Sequence, residues 1–397
     1  MMEIKSERKK IVKKLKTKLS QLEIDYFILP NSDQFFLEYL PERQKRVQFL
    51  TGFSGSNASL LIGKEESYFF TDGRYTLQAS QEIDCEEFEI IDLGEISLLN
   101  KIKELLSGGE KIAIDPKLMS VNFVKLLEKI CADEAAELYS FKVNPLDKIW
   151  EENIDGKFLK SRPKRNNYKI VNHPISYSGQ SKEEKVKAVI DELKSDAILI
   201  ANAESICWLF NIRCHGAVEY SPILPCYALL YKDGKCDFFL AFDGSGKEKL
   251  SFFKNHADLS RIVKFKVAPS RKFSSVQIDP NETNQAIFKV FKELELKVVE
   301  KTNPITAKKA IKNEIEIKNA VKAHEIDGLA VTKFLHWIDE SVKNNVEIDE
   351  LSAEKKLLEF RKRNKSFIYD SFRSISGFGS NGAIIHYHAS ENSNKKF

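Results

Sequence analysis

The sequence lacks the features of a membrane-spanning, secreted or nucleic-acid-binding protein. No stretch approaches about 18 uninterrupted apolar residues, so no segment is predicted to span a membrane. The amino terminus is crowded with Lys and Glu and has no apolar segment of the kind found in signal peptides. The 62 Lys and Arg exceed the 58 Asp and Glu by only four, which argues against a dedicated nucleic-acid surface.

The six cysteines do not form a disulfide or metal-binding pattern. No CxxC pair occurs, and several cysteines lie inside apolar runs, as Cys207 does between Ile206 and Trp208. Such spacing indicates free thiols in a reducing compartment and predicts a cytoplasmic protein. The motifs of serine hydrolases (GxSxG), zinc proteases (HExxH) and phosphate loops (GK[ST]) are also missing.

The chain does show helix-period segments that alternate with strand-period segments, which predicts an α/β fold. In the first 150 residues the pattern predicts helices at Ser6–Leu19, Leu77–Gln81, Ser97–Leu106 and Val121–Cys131, and strands at Tyr26–Leu29, Ala58–Ile62, Tyr68–Thr71, Phe88–Asp92 and Ile112–Ile114.

Two segments of this region recur later in the chain. Leu22–Leu29 is echoed by Leu193–Ile200, and Ile114-Asp115-Pro116 is echoed by Ile278-Asp279-Pro280, at offsets of 171 and 164 residues. We interpret this as a duplicated unit, although unrelated α/β segments can also look alike. In the second unit, Asp233-Gly234 between Tyr227–Tyr231 and Cys236–Phe242 predicts a β-hairpin.

Three domains are predicted, at residues 1–155, 156–305 and 306–397. A polar segment rich in Lys, Arg and Asn, Gly156–Tyr168, separates the first two, and Pro304 marks the second boundary. The third domain begins with a long helix with one broad apolar face that includes Ile317, Val321, His324, Ile326, Leu329, Ala330, Phe334 and Trp337. A second helix is predicted at Leu351–Phe360, with Ser352 as its N-cap.

Two glycine-rich motifs could carry chemistry. The first is Thr51–Ser56, followed by Thr71–Tyr75, where Arg74 is the side chain suited to gripping a carboxylate or a carbonyl. A purely structural loop and turn would explain the same residues. The second is Ser376–His388, predicted as a glycine-rich turn that leads into a short strand carrying His386 and His388 on one face.

The two histidines make a poor metal site because no acidic residue stands at matching spacing. A single His386 that donates a proton or hydrogen bond to a substrate fits better. The remaining histidines have no partner pattern, and we expect those at His324 and His336 to be structural.

Together these segments resemble the three-domain aminopeptidase P family of creatinase-like metallopeptidases. Phe49–Ser56 resembles its "SGFxGS" stretch, Thr71–Tyr75 its "TDGRY", Ile206–Arg213 its "IAWLFNLR" and Asn381–Tyr387 its "NGAIIHY". Tyr26–Pro30 and the helix from Lys312 to Trp337 look like its opening strand and the first helix of its catalytic domain. Each segment is weak alone, but the set is specific because all six occur in the family's order.

The resemblance implies two creatinase-type α/β domains followed by the start of a pita-bread (α+β) catalytic domain. It further implies removal of an N-terminal residue before proline, from peptides with proline at the second position, with two Mn²⁺ ions that activate water in the complete family member. By motif, Arg74 and His386 match positions that contact the peptide, and His386 is the expected catalytic residue. A guanidinium can grip the far end of the substrate, and an imidazole can donate to the scissile carbonyl oxygen.

Two departures from the family pattern shape the expectation. The family's metal ligands lie downstream of the "IIHY" segment, and this chain ends at Lys395–Phe397, so we expect no metal ligands and no bound cofactor here. After Arg213 the chain reads Cys214-His215-Gly216, where the family usually has Gly-x-Asp, and it is one residue longer. We therefore expect an inactive isolated chain; a split enzyme completed by a second, carboxy-terminal chain, a homodimer, or a non-catalytic binding module stay open.

Overall fold

The computed structural model describes residues 2–153, 159–164, 168–240 and 272–397. Residue 155, where the first boundary is predicted, lies outside these ranges, as do six of the thirteen residues of the predicted linker and the end of the predicted strand at 241–242. The chain divides into two compact units, one comprising residues 1–173 and 180–311, the other residues 174–179 and 312–397. The two predicted boundaries between the three domains therefore stay predictions.

The first lobe of unit 1 is an α/β sandwich on a mixed sheet with strand order β4-β3-β2-β1-β5-β6. Its strands are β1 (Tyr26–Pro30), β2 (Ser59–Gly63), β3 (Ser67–Thr71), β4 (Glu89–Asp92), β5 (Lys111–Ile114) and β6 (Glu137–Ser140). Its helices are α1 (Met2–Gln21), α2 (Arg46–Thr51), α3 (Thr76–Glu82), α4 (Leu98–Leu105), α5 (Val121–Asp133) and α6 (Pro145–Glu152). All predicted elements of this lobe are confirmed within a few residues; α2, α6 and β6 were not predicted.

Both faces of this sheet are buried at its central strands β1, β2 and β3, because consecutive residues of these strands are apolar. On β1, Phe27 and Leu29 face one hydrophobic cluster while Ile28 faces another, and all three are fully buried. Helix α1 covers the first face with Val12 and Leu15, and helices α4 and α5 cover the second. A sheet covered on both faces reads as continuous apolar runs in the sequence, as seen here.

The second lobe repeats the arrangement with strand order β11-β10-β8-β12-β13. Its elements are β8 (Ala197–Ile200), β10 (Cys226–Tyr231), β11 (Cys236–Leu240), β12 (Ser275–Ile278) and β13 (Lys297–Glu300), with β7 (Lys169–Asn172) and β9 (Ile212–His215) in a separate two-stranded ladder. The helices are α8 (Lys182–Ile190), α9 (Ala203–Leu209), α10 (Gln285–Glu293) and α11 (Pro304–Ala310). The order β3-β2-β1-β5-β6 of the first sheet is matched strand for strand, in agreement with a duplication.

The predicted hairpin at Asp233-Gly234 is confirmed. Gly234 adopts φ of 83°, which few other residues tolerate, and its N–H donates to the Tyr231 carbonyl at 2.9 Å.

The Asp279 side chain accepts from the Asn281 N–H at 2.9 Å, as the Asp115 side chain accepts from the Lys117 N–H at 3.0 Å. The two Ile-Asp-Pro segments thus form the same turn, each directly after a parallel strand.

Unit 2 contains α7 (Ile175–Ser178), the long helix α12 (Glu314–Lys343) and α13 (Glu350–Lys362), followed by a 3₁₀ turn at Gly379–Ala383. The prediction of a single apolar face on α12 is wrong. Ala330 is 6% exposed and lies on the side that packs against α13, whereas Val321 and Leu329 are 56% and 57% exposed. The eight residues predicted to share one face are instead distributed around the helix.

Two further predictions for unit 2 are wrong. The helix predicted at Leu351–Phe360 is confirmed as α13 within two residues, but its N-cap is Asp349 rather than Ser352: the Asp349 side chain accepts from the Ser352 N–H at 2.7 Å. The segment Ile384–His388 is a turn and a loop rather than a strand. A strand needs a neighbouring strand to pair its backbone, and among the described residues of this unit β-type pairing is limited to one isolated bridge between Asp349 and Lys396.

In the described ranges, no helix is both long and apolar enough to cross a lipid bilayer.

Candidate functional site

The two motifs of the first lobe lie side by side. Helix α2 ends at Gly52, which takes φ of 93° as its C-cap, and the chain then turns through Phe53 and Gly55. The Phe53 ring packs edge to face on Tyr75 at 5.6 Å, and the Ser56 hydroxyl is 2.8 Å from the Tyr75 hydroxyl. A side chain at Gly55 would collide with both rings, since a Cβ there would lie 2.3 Å from Phe53 and 2.7 Å from Tyr75. The first motif therefore supports the second.

Arg74 is held in a fixed orientation by Asp72. The Asp72 carboxylate accepts from Arg74 Nε at 2.8 Å, from Nη2 at 2.7 Å and from the Arg74 backbone N–H at 3.0 Å. Asn57 donates to the same carboxylate at 2.6 Å, and the guanidinium lies 5.3 Å from the centre of the Tyr75 ring. Two of the three guanidinium nitrogens thus serve the pair, while the side chain remains 48% exposed.

The pairing shows in the electrostatics of both groups. The Arg74 hydrogen bonds hold the pKa of Asp72 well below its usual range, and Asp72 raises the pKa of Arg74. Because the pair is exposed, its contribution to stability is small, at about 0–1 kcal/mol. The main effect of the pair is on orientation: Asp72 holds the planar, charged guanidinium of Arg74 at the surface of the lobe with few accessible rotamers.

His386 lies in unit 2, in the turn that follows the 3₁₀ segment, and is half-buried. The predicted pairing of His386 and His388 on one strand face does not occur, because the segment is not extended. Arg74 and His386 belong to different units, so the prediction that both contact one peptide stays a prediction.

The His386 turn is fixed by a buried carboxylate that sequence reasoning missed. Glu350, at the first turn of α13, is fully buried and accepts from the Phe378 N–H at 2.6 Å, the Tyr387 hydroxyl at 2.8 Å and the Lys395 N–H at 3.1 Å. Asn381 donates to both of its oxygens, at 3.0 and 3.1 Å. Burial by itself would raise the pKa of Glu350, but these donors together lower it.

A signal for Glu350 was present in the sequence. The Asp349-Glu350 pair directly precedes an apolar-periodic helix, which is where carboxylates complement free backbone N–H groups. What the sequence did not show is that the donors come from residues 28 to 45 positions away.

Among the described residues, no group of three or more His, Cys, Asp or Glu side chains is placed to hold a metal ion. A dinuclear site needs several anionic oxygens that share one water. Glu350 is not available for that role, because backbone and side-chain donors occupy its lone pairs. The donor set of this part of the chain does not fit the two Mn²⁺ ions that the resemblance implies.

Comparison with known proteins identifies the parts of this architecture. Models of the creatinase/prolidase N-terminal domain match residues 11–146 and 161–316, and the model of metallopeptidase family M24 matches residues 318–396. A crystal structure of X-prolyl aminopeptidase from Caenorhabditis elegans superposes with a TM-score of 0.83 and 25% identity over 94% of this chain. The chain combines two creatinase/prolidase-type domains with a segment of metallopeptidase family M24, and it is similar to Xaa-Pro aminopeptidases along almost its whole length. The two α/β lobes are its creatinase-type domains, and unit 2 carries its pita-bread segment.

The relatives in the Xaa-Pro aminopeptidase family are longer than this chain. A probable Xaa-Pro aminopeptidase P of Paracoccidioides lutzii is 29% identical over 95% of the chain and 63% of its own length. The Xaa-Pro aminopeptidase ApepP of Drosophila melanogaster is 27% identical over 94% of the chain and 61% of its own length. The Caenorhabditis elegans protein, described as a cytosolic enzyme with a di-nuclear active site, is covered over 61%. The chain thus spans about three fifths of each.

Proposed function

We propose that this chain is the substrate-positioning part of a cytoplasmic Xaa-Pro aminopeptidase and that it does not hydrolyse peptides by itself. The observation that carries the proposal is the Asn57–Asp72–Arg74 arrangement, which presents a fixed guanidinium at the surface of the first lobe. A peptide carbonyl or carboxylate is the ligand such a donor prefers. The peptide would have proline at its second position, as the names of the relatives indicate, and the cytoplasmic location rests on the description of the Caenorhabditis elegans enzyme.

His386 is the proposed catalytic residue, as a donor to the oxygen of the scissile carbonyl. The Glu350 network supports this role, because it fixes the turn on both sides of the imidazole through Asn381 and Tyr387. A donor that is already oriented stabilises developing charge without further reorganisation. In the complete family member, two Mn²⁺ ions would supply the activated water, and the described residues of this chain offer no set of ligands for them.

The decisive experiment assays the purified chain on an Xaa-Pro-Pro peptide with added Mn²⁺, beside His386→Ala. We expect no turnover above the uncatalysed rate for either protein. Turnover that is abolished by a chelator and by His386→Ala would contradict the proposal that the chain alone is inactive. Peptide binding is measured separately. Arg74→Ala should weaken it, and Arg74→Lys should weaken it less, because a lysine keeps the charge but cannot form the paired hydrogen bonds to Asp72 that fix the guanidinium. Equal affinity in all three proteins would refute the role of Arg74.

A second candidate is one half of a split enzyme that a carboxy-terminal chain completes. The observation that favours it is the exposure of apolar side chains in the segment 368–385, where Ile368, Phe372 and Ile385 are 68%, 57% and 56% exposed. Where such side chains form one contiguous patch, they are typical of an interaction site. Adding the carboxy-terminal two fifths of an aminopeptidase P relative, with Mn²⁺, should then produce turnover. A mixture that binds no such segment and stays inactive would remove this candidate.

A further inference from the structure

The segment that follows β1 leaves the first lobe and packs on the second. The Gln34 carbonyl accepts from the Tyr227 hydroxyl of the second lobe at 2.6 Å. Leu37 and Leu40 are buried in the core of the second lobe, whereas Tyr39 between them is only half-buried. Because the residues on both sides of it are anchored, Tyr39 is held at the surface where the two lobes meet.

Tyr220 of the second lobe faces Tyr39 from a strained turn. Val218 and Ser221 form an antiparallel bridge, and Glu219 and Tyr220 are the two turn residues between them. Tyr220 adopts φ of 58°, a left-handed conformation that Gly and Asn take readily but that is uncommon for a bulky side chain. Its ring lies edge to face with that of Tyr39, with the ring centres 5.6 Å apart. Strain that persists in a surface turn indicates a functional constraint on the side chain that the turn presents.

The turn of Tyr220 follows the point at which the sequence departs from the aminopeptidase P pattern. The Cys214 N–H, in the departing segment, donates to the Pro222 carbonyl beyond the turn at 2.9 Å. Ala217 and Val218 are buried in the core of the second lobe. The departing segment is therefore tied to the core on both sides of the turn, and it presents Tyr220 from a fixed backbone.

Tyr39 and Arg74 lie on one surface, because the charge of Glu38 acts on both. The hydrogen bonds to Asp72 raise the pKa of Arg74 most, and the Glu38 carboxylate raises it further. Burial raises the pKa of Tyr39, and the charges of Glu38 and Glu219 add to this effect. Asp72 accepts from Nε and Nη2 of the guanidinium, which leaves Nη1 for a ligand. This surface thus combines a charged donor with two aromatic rings, and its carboxylates disfavour an acidic ligand.

A peptide that contains proline matches this combination. Proline and the residue before it are restricted to extended backbone near polyproline II, in which the carbonyl groups have no internal partner. Aromatic surfaces bind such segments by packing against the proline rings, and a neighbouring guanidinium can donate to a free carbonyl. Arg74 supplies the donor here, and Tyr39 and Tyr220 supply the rings.

We propose that Tyr39 and Tyr220 form a subsite across the two lobes that binds an uncharged ring, such as that of proline, in the residue that follows the second-position proline of the peptide. The inference rests on the proposed function of Arg74, because one peptide would occupy both places. It goes further in assigning the second lobe a contact with the peptide and in predicting a preference at the third position. Tyrosines that only hold the lobes together would produce no such preference.

The test compares two peptides of equal length, Ala-Pro-Pro-Ala-Ala and Ala-Pro-Gly-Ala-Ala, by fluorescence anisotropy of a carboxy-terminal label with the full chain. We expect the wild type to bind the first about fivefold more tightly. Tyr220→Asn should reduce this ratio below about twofold, and Tyr220→Phe should keep it, because the ring remains. The stiffness of each peptide is the same for every variant, so a change in the ratio reports the subsite. The matched control is Tyr139→Asn on β6, a tyrosine that is 36% exposed, which should leave the ratio unchanged.

Urea unfolding separates binding from a structural role. Tyr220→Asn should not lower the urea midpoint, because asparagine adopts the left-handed conformation more readily than tyrosine. A ratio that is retained in Tyr220→Asn, or lost in Tyr139→Asn, would overturn the proposal. A lost ratio together with a lower midpoint would assign Tyr220 to holding the lobes and overturn it as well.

Arg74→Ala distinguishes the subsite from the proposed function. If Arg74→Ala weakens the binding of both peptides while Tyr220→Asn alters neither affinity, the subsite alone is refuted. If the wild type binds neither peptide, or if Arg74→Ala changes neither affinity, the proposed role of Arg74 is refuted and the subsite with it.

Discussion

Removal of the negative charge at Glu350 should loosen the turn that carries His386. In Glu350→Gln one carboxylate oxygen becomes an NH₂ group, which cannot accept. The oxygen Oε1 accepts from Phe378 and Asn381, and Oε2 accepts from Asn381, Tyr387 and Lys395. Whichever side the amide group takes, at least one buried N–H or hydroxyl donor loses its acceptor and faces a second donor.

The magnitude follows from the number of donors affected. A buried donor without a partner costs about 1–3 kcal/mol, and hydrogen bonds to a charged group contribute more than those to a neutral one. With one or two donors orphaned and the remaining bonds weakened, we expect the opening free energy of residues 378–395 to fall by about 3 kcal/mol. Since 1.4 kcal/mol is a factor of ten, amide exchange there should accelerate by about 150-fold.

Hydrogen exchange read by mass spectrometry on peptides from this segment measures the change. The control is Glu347→Gln, an exposed glutamate three residues earlier that pairs with Lys396 at the surface, where we expect amide exchange to accelerate less than about threefold. Because the fold lowers the pKa of Glu350, its contribution is present above the ordinary glutamate pKa and is lost as the pH falls. Exchange in the wild type should therefore approach that of Glu350→Gln in acid, after correction for the intrinsic rate. Equal protection in both variants at neutral pH would refute the reasoning.

Three further predictions concern unit 1. Burial raises the pKa of Asp33 to about 6, so the folded state holds this proton more tightly than the unfolded chain, and the free energy of unfolding should fall by about 2 kcal/mol as the pH rises from 4 to 7. Urea titrations should show this loss in the wild type and lack it in Asp33→Asn, and parallel curves would contradict it. Of the six cysteines only Cys85 is exposed, so a thiol reagent should label one site per native chain and six in denaturant; more than one rapid native site would contradict the core. Val121→Pro should lower the free energy of unfolding in urea by about 1–3 kcal/mol more than Val121→Ala does, because the first helical position tolerates proline but the buried Thr283 carbonyl loses the Val121 N–H as its donor. The control is Glu314→Pro at the exposed start of α12, which should cost little. Equal losses in Val121→Pro and Glu314→Pro would refute the role of the Val121–Thr283 hydrogen bond.

Periodicity was sufficient to predict the first lobe because its sheet is buried on both faces. Each strand there reads as a short apolar run, and Ser97 was correctly included at the start of the helix that it caps through the Asn100 N–H at 3.2 Å. Helix α2 was missed because it is six residues long and ends in the glycine-rich motif, which indicates a loop when it is considered alone.

The errors in unit 2 have a common physical origin. An apolar run such as Ile384–Ile385 is compatible with a strand, but a strand forms only where another backbone supplies hydrogen bonds. In the described structure Glu350 organises the neighbouring turn through side-chain contacts instead. Local pattern does not reveal which distant carboxylate will collect these donors, so neither the turn nor the role of Glu350 could be predicted. Arg74 could be singled out from the sequence because a charged group in a turn next to a glycine needs no distant partner to be recognised; its role in substrate binding stays a prediction.

The sequence echo in unit 1 also predicts contacts, not only topology. The Val121 N–H donates to the Thr283 carbonyl and the Gln285 N–H donates to the Met119 carbonyl, each at 2.9 Å. Met119 and Thr283 are 164 residues apart, as are Val121 and Gln285, which is the offset of the two Ile-Asp-Pro turns. The two hydrogen bonds are therefore equivalent: each joins the same two positions of the repeat, with donor and acceptor coming from opposite lobes.

Side chains at the edge of this interface follow the same rule. Lys125 of α5 binds Glu300 at the end of β13, and Lys289 of α10 donates to Ser140 at the end of β6 at 2.9 Å. The two lysines are again 164 residues apart, and β6 and β13 are equivalent edge strands of their sheets. Two copies of one unit that meet through equivalent faces must make every contact twice, as an isologous dimer does. The two lobes of unit 1 therefore contact each other as the two subunits of an isologous dimer do, although they belong to one chain. These paired contacts explain why unit 1 is one compact body despite its two sheets.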